Sequence, residues 1–207
     1  MSRLPIAFAC LASLLLPACS TPGGGADGES GSETGGLPEG PLWPMADGAD
    51  WTFVEMDGNG QVMNTDHISV ESSTYGGADA FLMIDGSKHD TLTLSEGVLG
   101  RVRRDRYDAS LLMWSADYDP ALVLVDEAWR DAAAGELLQL DLTRTETDAE
   151  GMNPVSDARN YVYTLIAVDE EVEVPAGTFI AVHVQRETTT GESAGEGVSS
   201  MIFWNRR

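Results

Sequence analysis

The chain is poor in the residues that most often carry chemistry. Among its 207 residues it has 2 cysteines, 3 histidines and 12 lysines and arginines. Against those 12 cations stand 34 aspartates and glutamates, which gives a formal net charge of −22. Clustered Lys and Arg side chains supply the affinity of proteins for phosphate backbones, so this balance excludes nucleic acid as a partner. With so few cysteines, the stability of the fold must come from its core.

Long apolar runs are equally scarce, and the most prominent one lies near the N terminus. It follows Arg3 and covers residues 4–16. A helix that crosses a bilayer needs roughly 20 apolar residues, so this run is too short to span a membrane. Its length and the preceding positive charge predict a secretory signal peptide over residues 1–18.

The end of this run reads LPAC at residues 16–19 and resembles the lipobox of bacterial lipoproteins. The resemblance implies cleavage before Cys19 and a diacylglycerol on its thiol. Because Ser20 follows Cys19, it also implies an envelope protein of the outer membrane. Two acyl chains would anchor the protein stably, since each buried methylene contributes about 0.8 kcal/mol. The alternative is an ordinary cleavage after Ser20, with Ala18 and Ser20 as the small residues of the site.

Behind the cleavage site the composition predicts a tether followed by one domain. Residues 19–41 are rich in Gly, Ser and Glu and hold no apolar side chain larger than Leu37. Such a segment cannot bury enough apolar surface to fold, so we expect a disordered tether with a mean span of about 26 Å. Residues 42–207 remain for a single globular domain that is large enough to bury a core.

The pattern of this domain is a series of short strands with turn signals between them. A DGNG turn separates apolar residues 51–56 from the next strand, which indicates a hairpin. Residues 137–145 alternate leucine with polar residues, and a PAGT turn at 175–178 predicts a second hairpin. The one helix candidate is 127–138. About ten strands with little helix predict an all-β fold, either an antiparallel β-sandwich or an open, curled β-barrel.

Three short motifs carry a second resemblance. The chain has WTF at 51–53 after WPM at 43–45, VPAGTF at 174–179, and the pair Phe203 and Trp204 near its end. Together they resemble a loose group of uncharacterised bacterial envelope lipoproteins. The resemblance implies a β-rich fold and a cell-envelope location, and it implies no activity.

One motif suggests catalysis. Residues 191–195 read GESAG, which matches the G-x-S-x-G elbow of α/β-hydrolases. That elbow requires an acid and a histidine later in the chain. No His or Asp follows Ser193, and a loop between the last two strands explains the motif better. No catalytic residue is therefore assigned, and a hydrolase that uses Ser193 is the third and weakest hypothesis.

Metal ligands are few. A zinc site needs three or four His, Cys or carboxylate ligands at workable spacing, and the three histidines of the chain stand far apart. Calcium is the better candidate, because a segment with strands on both sides mimics part of a calcium-binding loop. The segment comprises Glu55, Asp57, Asn59, Gly60 and Asp66. A hairpin turn is the favoured interpretation, so no cofactor and no metal site are assigned.

A basic island interrupts the acidic sequence. It comprises Arg101, Arg103, Arg104 and Arg106. On a regular strand Arg101 and Arg103 would share one face, and Arg104 and Arg106 would share the opposite face. The island is either an anion-binding site, for example for a lipid headgroup or a glycan phosphate, or a set of ion pairs with neighbouring carboxylates. Exposed pairs contribute about 0–1 kcal/mol each.

The tryptophans are candidates for the core or for the wall of a ligand cavity. Those considered for a cavity are Trp51, Trp114 and Trp204. Trp51 and Trp204 lie in the first and last predicted strands and would meet where the sheet closes.

These features lead to two hypotheses. The first is a non-enzymatic, membrane-anchored lipoprotein with a structural or protein-interaction role in the cell envelope. The alternative is a periplasmic carrier of lipids or other apolar ligands. A carrier needs an apolar cavity of several hundred Å³, whereas a structural domain is packed throughout. The sequence does not identify the protein or lipid partner.

Overall fold

The computed structural model describes residues 8–11, 41–43, 45–56, 61–174, 177–188 and 199–205. Almost all of them belong to antiparallel strands, which confirms the predicted all-β class. The strands are β1 (Phe8–Leu11), β2 (Asp50–Met56), β3 (Val62–Tyr75), β4 (Ala78–Asp85), β5 (Lys88–Ser95), β6 (Val98–Asp108), β7 (Leu111–Asp126), β8 (Leu137–Asp148), β9 (Val155–Val174), β10 (Gly177–Thr188) and β11 (Ser199–Asn205).

The described strands form one sheet whose spatial order is their order in the chain. Each strand therefore pairs with its neighbours in sequence, as in a meander. Among the described strands no pairing joins β1 to β11, so the sheet is open. Buried apolar residues from β5 to β10 pack into one cluster with Leu42 and Trp129, which requires the sheet to curl around them.

The first strand lies inside the predicted signal peptide. β1 pairs with β2 from Phe8↔Glu55 to Leu11↔Thr52. Cleavage before Cys19 would remove β1 and leave β2 at the edge of the sheet. The predicted lipobox and the tether up to residue 40 lie outside the described residues.

The core consists of side chains that alternate along the central strands. Leu92, Val182 and Val184 are completely buried, and so is Ala116. Burial of each large aliphatic side chain contributes about 1.5–3 kcal/mol. The segment before β2 covers one end of this core, where Leu42 is 1% exposed and donates its N–H to Glu127 Oε1 at 2.6 Å.

The predicted helix at 127–138 is wrong over most of its length. Only Glu127–Arg130 is helical, as a single 3-10 turn capped by the Asp126 carboxylate. Gly135 adopts a positive φ of 88°, which interrupts a helix. The following leucines alternate on β8, where a strand buries one side of the segment more effectively than a helix would.

Two of the strands are long. β7 is continuous over residues 111–126 and passes through Pro120. β9 likewise covers residues 155–174 without a break. Both hairpins are confirmed as antiparallel pairs, β2 with β3 and β9 with β10.

Candidate functional site

The basic island is divided by a β-bulge. The register between β5 and β6 shifts between the pairs Thr91↔Arg103 and Leu92↔Arg101. A bulge inserts one extra residue and resets which side chains share a face. Arg101 and Arg104 therefore lie on the same face. The predicted pairing of Arg101 with Arg103 is wrong, whereas Arg104 and Arg106 share a face as predicted.

Arg101 and Arg104 share one buried carboxylate. Arg104 donates Nε and Nη2 to the two oxygens of Asp90 at 2.7 and 2.8 Å. Arg101 forms an ion pair with the same carboxylate, with Nη2 2.8 Å from Oδ2. Asp90 is 2% exposed and Arg101 is 9% exposed. Burial lowers the pKa of Arg101, and Asp90 offsets part of that effect. Burial also acts to lower the pKa of Arg104, but its contact with Asp90 more than compensates and the net pKa is raised.

Arg103 belongs to the opposite face. It donates to Asp105 at 2.9 Å, to Ser115 Oγ at 2.7 Å and to Asp117 at 3.4 Å. Arg106 lies opposite Trp114 in the ladder and makes no ion pair with a described residue. Three of the four arginines are therefore engaged by side chains of this chain, which favours the ion-pair interpretation of the island.

The candidate cavity tryptophans do not converge on a pocket in the described residues. Trp51 is 8% exposed and packs edge-on against Trp43, with ring centroids 5.8 Å apart. Trp114 is half-buried beneath the Arg144 guanidinium, 5.8 Å from the ring centroid. Trp204 pairs with Ala181 through its backbone, and its side chain lies outside the described residues. A meeting of Trp51 with Trp204 stays a prediction.

The histidines lie on three separate strands. His67 contacts Asp50 at 3.2 Å, the His89 ring lies 4.4 Å from that of Tyr107, and His183 Nδ1 is 2.7 Å from Glu170. The His183 side chain is 20% exposed. Within the described residues no three His, Cys, Asp or Glu side chains come together as metal ligands. Ser193 and the turn at 57–60 lie outside the described residues.

The sheet has a gap in its interior, at the point where β7 and β8 separate. Their pairing runs from Trp114↔Asp148 to Asp119↔Thr143 and ends there. The next residue of β7 is Pro120, which has no N–H to donate to a ladder. Beyond it β7 pairs with β6, and residues 137–142 of β8 pair with β9 alone. We call this gap the fork.

The free backbone groups of β8 point into the fork. Leu165 of β9 bonds towards the β8 side through both its N–H and its C=O. Backbone groups alternate along a strand, so Tyr163 and Tyr161 also bond towards β8, opposite Leu138 and Leu140. The backbone N–H and C=O groups of the alternate residues of β8 must therefore point away from β9. These alternate residues are Leu137, Gln139 and Asp141.

A groove opens at the apex of the fork. It has a volume of about 520 Å³. Its lining comprises Asp119, Pro120, Asp141, Leu142, Thr143, Ala158, Arg159 and Asn160. The groove is open to solvent, so it differs from the enclosed apolar cavity that a lipid carrier requires.

A tyrosine closes the inner side of the fork. The Tyr163 hydroxyl donates to the Val123 carbonyl of β7 at 2.7 Å. Tyr163 is 1% exposed and packs against Trp129 with ring centroids 6.0 Å apart. The side chain thus supplies a hydrogen bond across the gap where β8 makes no ladder with β7. Burial raises the pKa of Tyr163 to about 12.

The sequence contained one signal for the fork that the strand prediction did not use. Proline within a strand occurs at an edge or a bulge, because a central strand needs the missing N–H. Pro120 inside β7 therefore indicates a break in pairing, and the ladders of β7 with β6 and with β8 are both interrupted there.

Within the described part of the chain no helix is long and apolar enough to cross a membrane. No protein-family model, no curated protein and no solved structure matches the chain. The functional argument therefore depends on the residues and geometry of the site itself.

Proposed function

We propose that the chain is a non-enzymatic protein-interaction module of the bacterial cell envelope, anchored by lipid on Cys19 and extended from the membrane by residues 19–41. The observation that carries the interaction role is the unpaired edge of β8 in the fork. An edge strand offers a row of N–H and C=O groups to an extended segment of another protein. Main-chain bonds supply the affinity of such a complex, and adjacent side chains supply its specificity.

The packing of the inner face supports this role over a carrier of apolar ligands. Residues from β5, β7 and β10 fill the space under the curled sheet, and Leu92, Ala116 and Val182 have no exposed surface. The buried carboxylate of Asp90 occupies the same face. A lipid carrier would need that space to be empty and apolar.

A photocrosslinker at Gln139 tests the interaction. Gln139 lies on the free edge of β8 and its side chain is exposed, so p-benzoylphenylalanine there should form a discrete protein adduct on irradiation of intact cells. The matched control is Lys88, an exposed residue of β5 that is paired with Asp85 of β4 on one side and with Arg106 of β6 on the other. The edge is not a binding site if position 139 gives no adduct or gives the same adducts as position 88.

A cysteine substitution tests the anchor. Cys19→Ala removes the acylated thiol, so most of the protein should move from the membrane pellet to the soluble fraction, because two acyl chains supply the membrane affinity. Cys10→Ala is the control and should leave fractionation unchanged, since residue 10 lies in the predicted signal peptide. Continued pelleting of Cys19→Ala after alkaline extraction of the membranes would contradict lipid anchoring.

A further inference from the structure

The rim of the fork carries negative charge that the described residues neutralise only in part. Asp141 is exposed and accepts one hydrogen bond, from Asn160 Nδ2 at 2.6 Å. Asp119 is exposed and forms no ion pair with a described residue. Arg159 is the cation of the groove lining. Its Nε is 2.5 Å from Asp157, so the two charges form an ion pair. The groove therefore presents two carboxylates without a cation of their own.

The free edge also has an apolar end. Leu137, the first residue of β8, is 64% exposed. Residues 137–142 span about 20 Å as a strand, which is long enough to pair with some six residues of a partner. On one face of β8 the side chains follow the order Leu137, Gln139 and Asp141. The order of chemistry along the edge is therefore apolar, polar and then acidic.

We propose that the occupant of the fork is an extended segment of a partner protein that carries lysine or arginine at alternate positions. This inference rests on the proposed interaction role and names the chemistry of the partner. The backbone of the segment bonds to Leu137, Gln139 and Asp141. Cations on one of its faces lie beside Asp119 and Asp141, where an acidic segment would be repelled.

Three synthetic peptides test the proposal on the full chain in detergent micelles. The first is a ten-residue peptide that alternates lysine with threonine. The second has glutamate in place of lysine, and the third is the lysine peptide with an N-methyl group on every backbone nitrogen. Amide chemical shifts of the ¹⁵N-labelled protein report where each peptide binds, and the same titrations give its affinity.

The lysine peptide should shift the amide signals of Leu137, Gln139 and Asp141 and should bind more weakly as salt is added. The N-methylated peptide should lose at least tenfold in affinity, because it has no backbone donor on either edge. Asp119→Asn and Asp141→Asn should each weaken the lysine peptide by about threefold to tenfold. The control Asp79→Asn, at an exposed position of β4 with the same loss of charge, should leave its affinity unchanged.

The other outcomes separate this inference from the proposed function. Equal binding of the glutamate peptide at the same amides would overturn the cationic partner and leave strand addition intact. Equal binding of the N-methylated peptide would overturn strand addition. If no peptide shifts the fork amides while Gln139 still crosslinks in cells, the inferred chemistry of the partner is wrong and the interaction role stands.

Discussion

Asp90→Ala is expected to lower the free energy of unfolding by about 3–5 kcal/mol, the range found when one partner of a buried ion pair is removed. Among the described residues, Asp90 is the one carboxylate that pairs with Arg101, which is 9% exposed and lies beside a second guanidinium, Arg104. Without Asp90, two like charges lie close together, and that of Arg101 is buried. Urea unfolding followed by tryptophan fluorescence measures the loss.

Two further variants separate charge from packing. Asp85→Ala removes an exposed pair with Lys88 and should cost less than about 1 kcal/mol. Replacing Asp90, Arg101 and Arg104 together by leucine or methionine should restore most of the stability, since apolar residues of similar volume can replace a buried ion network. A loss below about 1 kcal/mol in Asp90→Ala would show that water reaches the cluster and that the arginines do not depend on this carboxylate.

The effect of Tyr163→Phe on the free energy of unfolding, relative to the wild type, is expected to change sign as the pH rises. At pH 8 the variant should be less stable by about 1–2 kcal/mol, because the carbonyl of Val123 loses its donor. Burial raises the pKa of Tyr163 to about 12, and the nearby Arg186 opposes this only in part. The unfolded chain releases this proton near pH 10.

The sign of the alkaline effect follows from these two pKa values. Between about pH 10 and 12 the unfolded state is deprotonated while the folded state keeps its proton, so deprotonation stabilises the unfolded state. The wild type should then lose up to about 1.4 kcal/mol per pH unit that the phenylalanine variant does not lose. Stability curves of both proteins from pH 8 to 12 should converge or cross. Parallel curves would mean that the hydroxyl ionises in the folded state as readily as in water.

Tyr75→Phe is the control for the alkaline experiment. The pKa of Tyr75 is also raised, first by partial burial and then by Asp117. This residue is 37% exposed, so solvent screens its hydroxyl and the difference from the wild type should be smaller.

The fold class could be predicted from the sequence because it depends on local alternation. Leu138, Leu140 and Leu142 repeat every second residue, and a strand that buries one face needs that period. The same reasoning failed for the basic island, since the bulge at Val102 depends on pairing with β5 and leaves no mark in the alternation of β6. Gly135, which adopts a positive φ, lies inside the predicted helix, but the sequence does not show that only residues 127–130 are helical.

The fork was harder to predict for a related reason. Pro120 marks a residue without a donor, but the sequence does not reveal which neighbouring strand moves away there. That depends on how Tyr163 and Trp129 fill the space beneath the gap, which is a contact between residues distant in the chain. Local patterns therefore predict the strands, and the unpaired edge emerges only when the strands are assembled.

The meander order has a consequence for how the chain acquires its structure. Because each described strand pairs with its predecessor and its successor, most loops that must close are short and their entropic cost is small. Such local connectivity favours rapid folding for a β protein. A polypeptide that emerges from a translocation channel N-terminus first could add one hairpin after another. The charges of Asp90, Arg101 and Arg104 would be neutralised within a single hairpin, before the later strands arrive.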